Sequence, residues 1–552
     1  MDSSGIIGAV SLGMQTAQLF GTCLQKYENL LEAFDMESDL SVMRCRLEIE
    51  MQRFRLWGDV AKVSQSNNVG VPVGQAQTVL SALRCIEDIF AGRDPIIKRY
   101  EEGPSNQTPG TQVEPESTAF GVLVRRARWV LSDKKRLEST VHDIKAINDS
   151  LFSLLNEANQ RQATQAFQEL AIHVLGTENR SRIEALAAST AGSYADIHAL
   201  ASLKALKLAG DGTKTTENTP LPSLPTGLDS LKPHQKWLDL PLGGLDAWGR
   251  EVRMLDREPV VLEWRRLPKD AKKKSLAISK VRWLVPFLSQ AAEIPDLRAL
   301  DFAGTTLDLS TEYMATVFKY PQTGSSLGME PTSLHQILGA SERSKYLPSL
   351  NTRFALAVSL SKAVLQLHTC GWLHKSISSG NILFFYPETS DGGKKQASAA
   401  EADLESPYLQ GYGYARVESA GRTDADAAFS ETVSTHRAAA HYRHPNTFES
   451  GERRTKFKKI YDIYSLGVVL LEIGLWTTCS PPASDFSTPQ TVRQTLIDKY
   501  LNGYLAYRMG TTFQDVVRTC LLGSFGQPGK AKNWLELEFM KRVVRRLEEC
   551  RM

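Results

Sequence analysis

Paired cysteines and long apolar runs are both scarce in this chain of 552 residues. Its seven cysteines are spread thinly, and no two of them are spaced as C-x-x-C. An odd and scattered set argues against a disulfide framework and against a zinc site, so we expect a reducing compartment and no bound metal. The net charge of +3 gives no reason to expect a nucleic-acid partner.

Charge is absent from one stretch near the N-terminus. No residue from Ser3 to Gln25 is charged, although Asp, Glu, Lys and Arg make up 23% of the chain. A start of Met-Asp disfavours a signal peptide, which needs a positive charge there. Two interpretations stay open: a helix packed in a soluble bundle at rest, and a helix that enters a membrane. Small residues recur in this stretch at every fourth position, at Gly5, Ala9, Gly13, Ala17 and Gly21.

Three further segments of the first half, 38–60, 78–90 and 132–155, carry apolar residues at the spacing of one helical face. We therefore expect a helical bundle, and we expect Thr16, which lies off the small-residue ridge, to face solvent in it. The apolar stripes of the first and third segments are Leu40, Met43, Leu47, Phe54, Trp57, Leu137, Val141, Ile144, Leu151 and Leu155.

Two stretches lack such periodicity. Residues 102–118 are rich in Pro, Gly, Ser, Thr and Glu, which predicts a loop, and residues 209–238 have the Pro, Gly and Thr content of a linker. The linker separates a predicted helical domain, residues 1–208, from a second domain, residues 239–552.

The second domain begins with strands and continues with helices. The β-branched and aromatic residues of 259–267 and 313–321 predict strands, residues 275–292 predict a helix, and helical patterns dominate after residue 350. Strands followed by helices indicate an α+β domain. The expected fold class is thus multidomain, with an all-α bundle followed by an α+β domain.

Three blocks of the first domain resemble the fungal HeLo domain, also called the prion-inhibition and propagation domain, which occurs in heterokaryon-incompatibility proteins. They are the uncharged opening, "LEIEMQRFRLWGDV" (47–60) and "RWVLSDKKRLESTVHDIKAINDSL" (128–151). The resemblance implies a helical bundle that self-associates and then releases its N-terminal helix into a membrane. Small residues at every fourth position would let such helices approach closely in lipid. The chain contains no Asn- and Gln-rich segment like the amyloid tail of the prion-forming relatives.

The segment "QLHTCGWLHKSISSGNILFF" (366–385) resembles the catalytic loop of protein kinases, H-R-D-L-x-x-x-N. His374 matches the histidine, Lys375 stands at the arginine, Ser376 replaces the catalytic aspartate, and Asn381 matches the metal-binding asparagine. Further matches follow in the order of kinases, at the D-F-G position, in "HYRHPN" and in "YDIYSLGVVLLEI". The residues at these later motifs are Gly411, Tyr412, Gly413, Asp462, Ser465 and Gly467.

The residues that resemblance assigns to catalysis are the ones that differ. Phosphoryl transfer needs one carboxylate to orient the substrate hydroxyl and another to hold magnesium. Ser376 is a poor base, Gly411 has no side chain, and the strand lysine is replaced by Arg265 or Arg266. Asp462 has a scaffold role in kinases and is retained, and hydrogen bonds within the loop are enough to account for His374 and Asn381. We therefore expect a pseudokinase without a cofactor, with at most weak ATP binding.

Together the two resemblances imply a signalling protein of the fungal incompatibility or regulated-cell-death type. A membrane-active bundle would be controlled by a catalytically dead kinase-like domain. The expected partners are further copies of the bundle, a membrane on activation and an upstream sensor protein, and the expected location is the cytoplasm and, conditionally, the plasma membrane. Two alternatives remain: an active atypical kinase, and a non-enzymatic soluble scaffold.

Overall fold

In a computed structural model, the chain forms two compact units, Met1–His198 and Ala199–Met552, each held together by its own internal contacts. The predicted loop 102–118 and residues 213–238 of the predicted linker lie outside the described residues. The structure describes residues 3–34, 41–63, 75–92, 134–212, 249–308, 312–321, 330–340, 347–386, 402–418, 437–447, 457–479 and 488–550.

The described part of the first unit is helical, which confirms the predicted bundle. All three predicted helical segments are present, because their apolar stripes give each helix one face to bury. The helices are α1 (Ser3–Phe34), α2 (Ser41–Val60), α3 (Ala76–Ala91), α4 (Lys134–Ser153), α5 (Glu157–Leu175), α6 (Arg180–Thr190) and α7 (Ala195–Gly212), the last of which continues into the second unit.

Helix α1 is held by an aromatic core. The ring of Phe20 lies 4.7 Å from that of Phe54 on α2, and the ring of Tyr27 lies 4.9 Å from that of Phe90 on α3. Gly58 on α2 makes room for this contact, since a Cβ there would lie 2.1 Å from Cζ of Phe20. Close packing of α1 on α2 therefore depends on a residue without a side chain.

The expectation that Thr16 faces solvent is wrong. Its side chain is 2% exposed, and its hydroxyl donates to the carbonyl oxygen of Leu12 at 2.8 Å. The bundle buries the face of α1 that carries Phe20, Tyr27 and Leu30, whose apolar area favours burial, and Thr16 shares that face. Gly21, at the end of the small-residue ridge, lies on the exposed side with no atom within 4 Å of its would-be Cβ.

A buried carboxylate ties the helices of the first unit together. Glu50 on α2 is 2% exposed and accepts hydrogen bonds from Arg53 at 3.1 Å, from Asn148 on α4 at 2.9 Å and from the hydroxyl of Tyr194 at 2.5 Å. A buried charge is tolerated when it is paired and hydrogen-bonded in this way. Removal of one partner would leave the others buried and unsatisfied.

The second unit combines helices with small sheets. Its main sheet is antiparallel with the strand order β1–β2–β4–β3, and Arg250 on β1 stands opposite Glu263 on β2. The strands are β1 (Arg250–Leu255), β2 (Glu258–Arg266), β3 (Phe302–Asp308), β4 (Tyr313–Lys319), β5 (Thr332–Ser333), β6 (Trp372–Leu373), β7 (Ile382–Phe384), β8 (Tyr408–Leu409) and β9 (Arg416–Val417).

The helices of the second unit pack around one that is buried along its length. Helix α11 (Lys459–Leu475) is mostly apolar and is buried from Tyr461 to Leu475, as expected for a helix enclosed by others. The expected strands at 259–267 and 313–321 and the helix at 275–292 are present as β2, β4 and α8 (Ala271–Ala291). The described helices are α8 (Ala271–Ala291), α9 (Leu334–Gly339), α10 (Leu350–Thr369), α11 (Lys459–Leu475), α12 (Pro489–Thr495), α13 (Leu505–Leu522), α14 (Trp534–Phe539) and α15 (Arg545–Glu549).

Among the helices of the described residues, none combines the length and the hydropathy needed to cross a bilayer.

Candidate functional site

A buried carboxylate holds the loop that follows β6. Asp462, near the start of α11, is fully buried and accepts the backbone N–H groups of His374 and Lys375, each at 2.8 Å. Nε2 of His368 lies 3.3 Å from the same carboxylate. Hydrogen bonds to an ionised acceptor are about twice as strong as neutral ones, so Asp462 fixes the start of this loop.

The imidazole of His374 packs inside the unit. Its Nδ1 accepts the N–H of Ser376 at 3.2 Å, which places the proton of the neutral ring on Nε2, and its ring lies 4.8 Å from that of Tyr412. Burial lowers the pKa of His374 to about 4, although the nearby charge of Asp462 opposes the shift. The ring is therefore neutral near pH 7 and acts as a hydrogen-bond acceptor within the loop.

The two ends of the Asn381 amide are both engaged. Its Nδ2 donates to the carbonyl oxygen of Ser376 at 2.6 Å and to the Ser376 hydroxyl at 2.9 Å. Its Oδ1 accepts a hydrogen bond from the guanidinium of Arg250. The loop between Ser376 and Asn381 is thus closed on itself and connected to β1.

The turn Gly411–Gly413 lies directly against this loop. Gly411 adopts φ +89°, and a Cβ there would lie 2.5 Å from Nδ2 of Asn381. Its N–H donates to Glu263 at 2.8 Å, and the carbonyl oxygen of Gly413 accepts from Arg265 at 2.6 Å. The strand β2 therefore holds the backbone of the turn at two points.

Tyr412 fills the space under the same turn. Its side chain is fully buried and its ring lies 5.7 Å from Phe287 on α8. Burial, assisted by the charge of Glu263, raises the pKa of the Tyr412 hydroxyl above its usual range. The phenol therefore stays neutral and contributes packing rather than charge.

Arg250 and Glu263 also belong to this site, although their sequence motifs did not predict it. Arg250 is 8% exposed, donates to the carbonyl oxygen of Gly380 at 2.7 Å, and has its Nε 3.4 Å from the Glu263 carboxylate. The signal that could have revealed the pair is the β1–β2 hairpin around Asp256 and Arg257, because its register places the two residues opposite each other.

Ser465 and Gly467 on α11 both lie at packing contacts between α11 and its neighbours. The hydroxyl of Ser465 lies 2.7 Å from the carbonyl oxygen of Tyr442. A Cβ at Gly467 would lie 2.8 Å from Cβ of Cys520 on α13, so the two helices approach closely there.

A second group that the sequence did not predict is a buried chain of hydrogen bonds. It runs from Ser379 through the Tyr442 hydroxyl to Glu472, at 2.6 and 2.8 Å.

The structure describes part of the small-residue ridge of α1. Gly13 is buried and Ala17 is half-buried, whereas Gly21 is exposed. The surroundings of Gly5 and Ala9 lie outside the described side chains. Their proposed part in oligomers or membranes stays a prediction.

Within the described ranges, no group of three or more His, Cys, Asp or Glu side chains is arranged to hold a metal ion. Arg250 contacts both the Asn381 amide oxygen and the Glu263 carboxylate, so an arginine connects the amide to the acid.

Comparison with known families separates the two halves of the chain. Residues 318–546 match a domain of unknown function, DUF7580. No curated protein matches the chain. Residues 6–188 match the HeLo family model, described as prion-inhibition and propagation. The N-terminal part of this chain is therefore similar to the HeLo family, which is associated with fungal prion inhibition and incompatibility signalling.

Proposed function

We propose that the chain is a fungal incompatibility or regulated-cell-death signalling protein with two working parts. In this proposal the HeLo domain is a membrane-active effector, and the second unit is a catalytically dead kinase-like domain that controls it. The HeLo family match supports the signalling role. Control by the second unit rests on the following geometry and on analogy at the level of the fold.

The kinase-like interpretation is supported by the contacts of Asp462. In the kinase resemblance this residue supports the catalytic-loop backbone, and here its carboxylate accepts the N–H groups of His374 and Lys375. The antiparallel sheet, with helix α8 between β2 and β3, precedes a largely helical part in the same order as the motifs.

The crowding between Gly411 and Asn381 carries the proposal that the domain is catalytically dead. A metal-binding carboxylate at position 411 would require a Cβ 2.5 Å from the Asn381 amide. The Ser376 hydroxyl, at the place of the catalytic base, accepts a hydrogen bond from the same amide. A hydroxyl is a poor base near pH 7, and general-base help alone is worth about 10²–10⁴ in rate.

Helix α1 is the proposed membrane-active element. It is uncharged from Ser3 to Gln25, and at rest it packs through Phe20 and Tyr27. Self-association of the HeLo domain would supply new contacts for the small-residue ridge once α1 leaves the bundle. An upstream sensor and the plasma membrane are the further partners in this proposal, and the resting protein would be cytoplasmic.

Leakage of dye from anionic phospholipid vesicles tests the effector role in the full chain. Gly58→Ala should increase leakage, because the added Cβ displaces Phe20 and weakens the hold on α1. Gly339→Ala on α9 is the matched control, since its Cβ meets open space and it lies outside both α1 and the small-residue ridge. Absence of leakage from the wild type and from Gly58→Ala, even when the protein is chemically oligomerised, would leave the scaffold alternative.

A phosphotransfer assay with Mg²⁺ or Mn²⁺ tests the other half of the proposal. We expect no incorporation of phosphate into the chain or into generic substrates. Incorporation that disappears in the Asn381→Ala variant would establish the atypical-kinase alternative instead.

A further inference from the structure

We propose that Arg250 is a built-in cation that latches the main sheet of the second unit onto the loop 376–381. We further propose that it occupies the place where a kinase-like domain would hold a divalent metal. This second statement rests on the kinase-like interpretation given above. The latch itself rests only on contacts among described residues.

One guanidinium contacts three acceptors that lie on two elements, the strand β2 and the loop. Arg250 is on β1, and it contacts Glu263 on β2, Asn381 in the loop and the carbonyl oxygen of Gly380. The planar fork of arginine suits several oxygen acceptors at fixed angles, which lysine cannot match. Because these acceptors lie in both the sheet and the loop, separation of the two would break all of the loop contacts together.

Glu263 extends the latch to the turn at Gly411. Its carboxylate faces Arg250 at 3.4 Å and accepts the Gly411 N–H at 2.8 Å. The side chains of Arg250 and Glu263 are 6% and 10% exposed, so water screens the pair little. Arg250, Glu263, Asn381 and the turn thus form one connected polar group.

The charges of this group are matched for an arginine rather than for a divalent metal. Mg²⁺ in phosphate-binding sites is held by one or two carboxylates together with the phosphates. Here the single carboxylate of Glu263 is already balanced by Arg250, and Gly411 brings no second acid. In the kinase resemblance Asn381 would supply its amide oxygen to the metal. Here that oxygen instead accepts a hydrogen bond from Arg250.

Hydrogen–deuterium exchange of the full chain tests the latch. Arg250→Gln should raise exchange at least tenfold in 374–381 and around Gly411, because the loop loses its connection to the sheet. Arg253→Gln is the matched control: Arg253 lies on the same strand and pairs with Glu251, also on β1, so loop exchange should change less than twofold. Unchanged loop exchange in a folded Arg250→Gln protein would overturn the latch.

Glu263→Gln is a second test of the latch, which can be used if the Arg250→Gln protein does not fold. It removes the ion pair from the opposite side while its amide oxygen can still accept the Gly411 N–H. The same loop should become more exposed to exchange, by at least threefold. Protection equal to wild type in this variant would also contradict the latch.

Hydrogen–deuterium exchange in the presence of Mn²⁺ and ATP tests whether Arg250 occupies the metal position. Wild-type protein with Mn²⁺ and ATP should show the same exchange in 374–381 as protein without them, because Arg250 already fills the position. Protection of the loop by Mn²⁺–ATP would overturn this claim. That result would leave the proposed non-catalytic function standing unless phosphotransfer accompanied it, so the two failures are distinguishable.

Discussion

The buried carboxylate of Asp462 accepts the backbone N–H of His374 at 2.8 Å. This contact fixes the start of the loop from which Ser376 and Asn381 project. A single acid on one helix therefore determines whether the later contacts of the loop can form. The hydrogen bond from Lys375 and the nearby His368 add to the same acceptor.

Removal of this acid should destabilise the second unit. Asp462→Ala removes the acceptor of the buried His374 N–H and of the partly buried Lys375 N–H, and we expect a loss of about 1–3 kcal/mol in the free energy of unfolding. Urea unfolding of the full chain, followed by tryptophan fluorescence, measures it. Asp498→Ala is the control, because Asp498 is exposed and should change stability by less than about 0.5 kcal/mol. Equal losses in the two variants would contradict the supporting role of Asp462.

The close approach of α11 and α13 predicts a second effect. Gly467→Ala places a Cβ 2.8 Å from Cβ of Cys520 and 3.2 Å from the backbone nitrogen of Leu521, neither of which is a flexible chain end. Overpacking of this kind costs about 1–3 kcal/mol. Gly339→Ala adds the same methyl group where nothing lies within 4 Å. A melting temperature that falls for Gly467→Ala and not for Gly339→Ala is the expected outcome, and the reverse order would refute it.

The buried histidine predicts a pH dependence. The pKa of His374 is about 4 in the folded chain, against an ordinary value of 6.5, because burial disfavours the charged ring. Between these values the unfolded chain binds a proton that the folded chain does not. Stability is therefore complete above pH 6.5 and falls on acidification towards pH 4, by about 3 kcal/mol for a shift of this size.

Comparison with His374→Asn isolates that contribution. The asparagine oxygen can still accept the Ser376 N–H, but it does not titrate. We expect its unfolding free energy to fall less between pH 6.5 and pH 4 than that of the wild type. Burial lowers the pKa of His444 to about 4 as well, but His444 is present in both proteins and cancels in the difference. Parallel curves would show that His374 titrates normally in the fold.

Local patterns in the sequence revealed the helices of the first unit and much of the second. Apolar residues such as Met43, Leu47 and Trp57 repeat at the helical period and are buried as a stripe. Strand β2 carries Val260, Val261 and Trp264 and matches the strand expected at 259–267. Strand β1 was missed because its sequence, REVRML, contains three charged residues and one β-branched residue and does not alternate regularly.

The sequence predicted some residues of the candidate site and not others. Ser376, Asn381 and Gly411 stand in motifs that resemble those of kinases, so the differences at Ser376 and Gly411 could be recognised from the sequence. Arg250 carries no such mark, because its contact with Asn381 joins residues 131 positions apart. The orientation of α1 was also out of reach: a four-residue repeat of small residues defines a ridge, but the bundle decides which face is buried, and Thr16 proved to be inside.

A charge placed in the middle of α1 tests whether this helix enters a bilayer. Gln18 is exposed in the resting bundle, so Gln18→Glu should change the free energy of unfolding by less than about 0.5 kcal/mol. In the middle of an inserted helix the same charge should cost about 2.5–3.5 kcal/mol, by analogy with aspartate on insertion scales. Vesicle leakage should therefore fall roughly tenfold or more while the melting temperature stays the same.

Gln25→Glu is the matched control for this experiment. Gln25 is also exposed, but it lies at the end of the uncharged stretch, where a carboxylate can reach the membrane surface. We expect its leakage to remain within about twofold of the wild type, because a charge at the interface avoids most of the cost of burial in hydrocarbon. Equal leakage from the two variants, with both proteins folded, would mean that α1 does not insert into the bilayer.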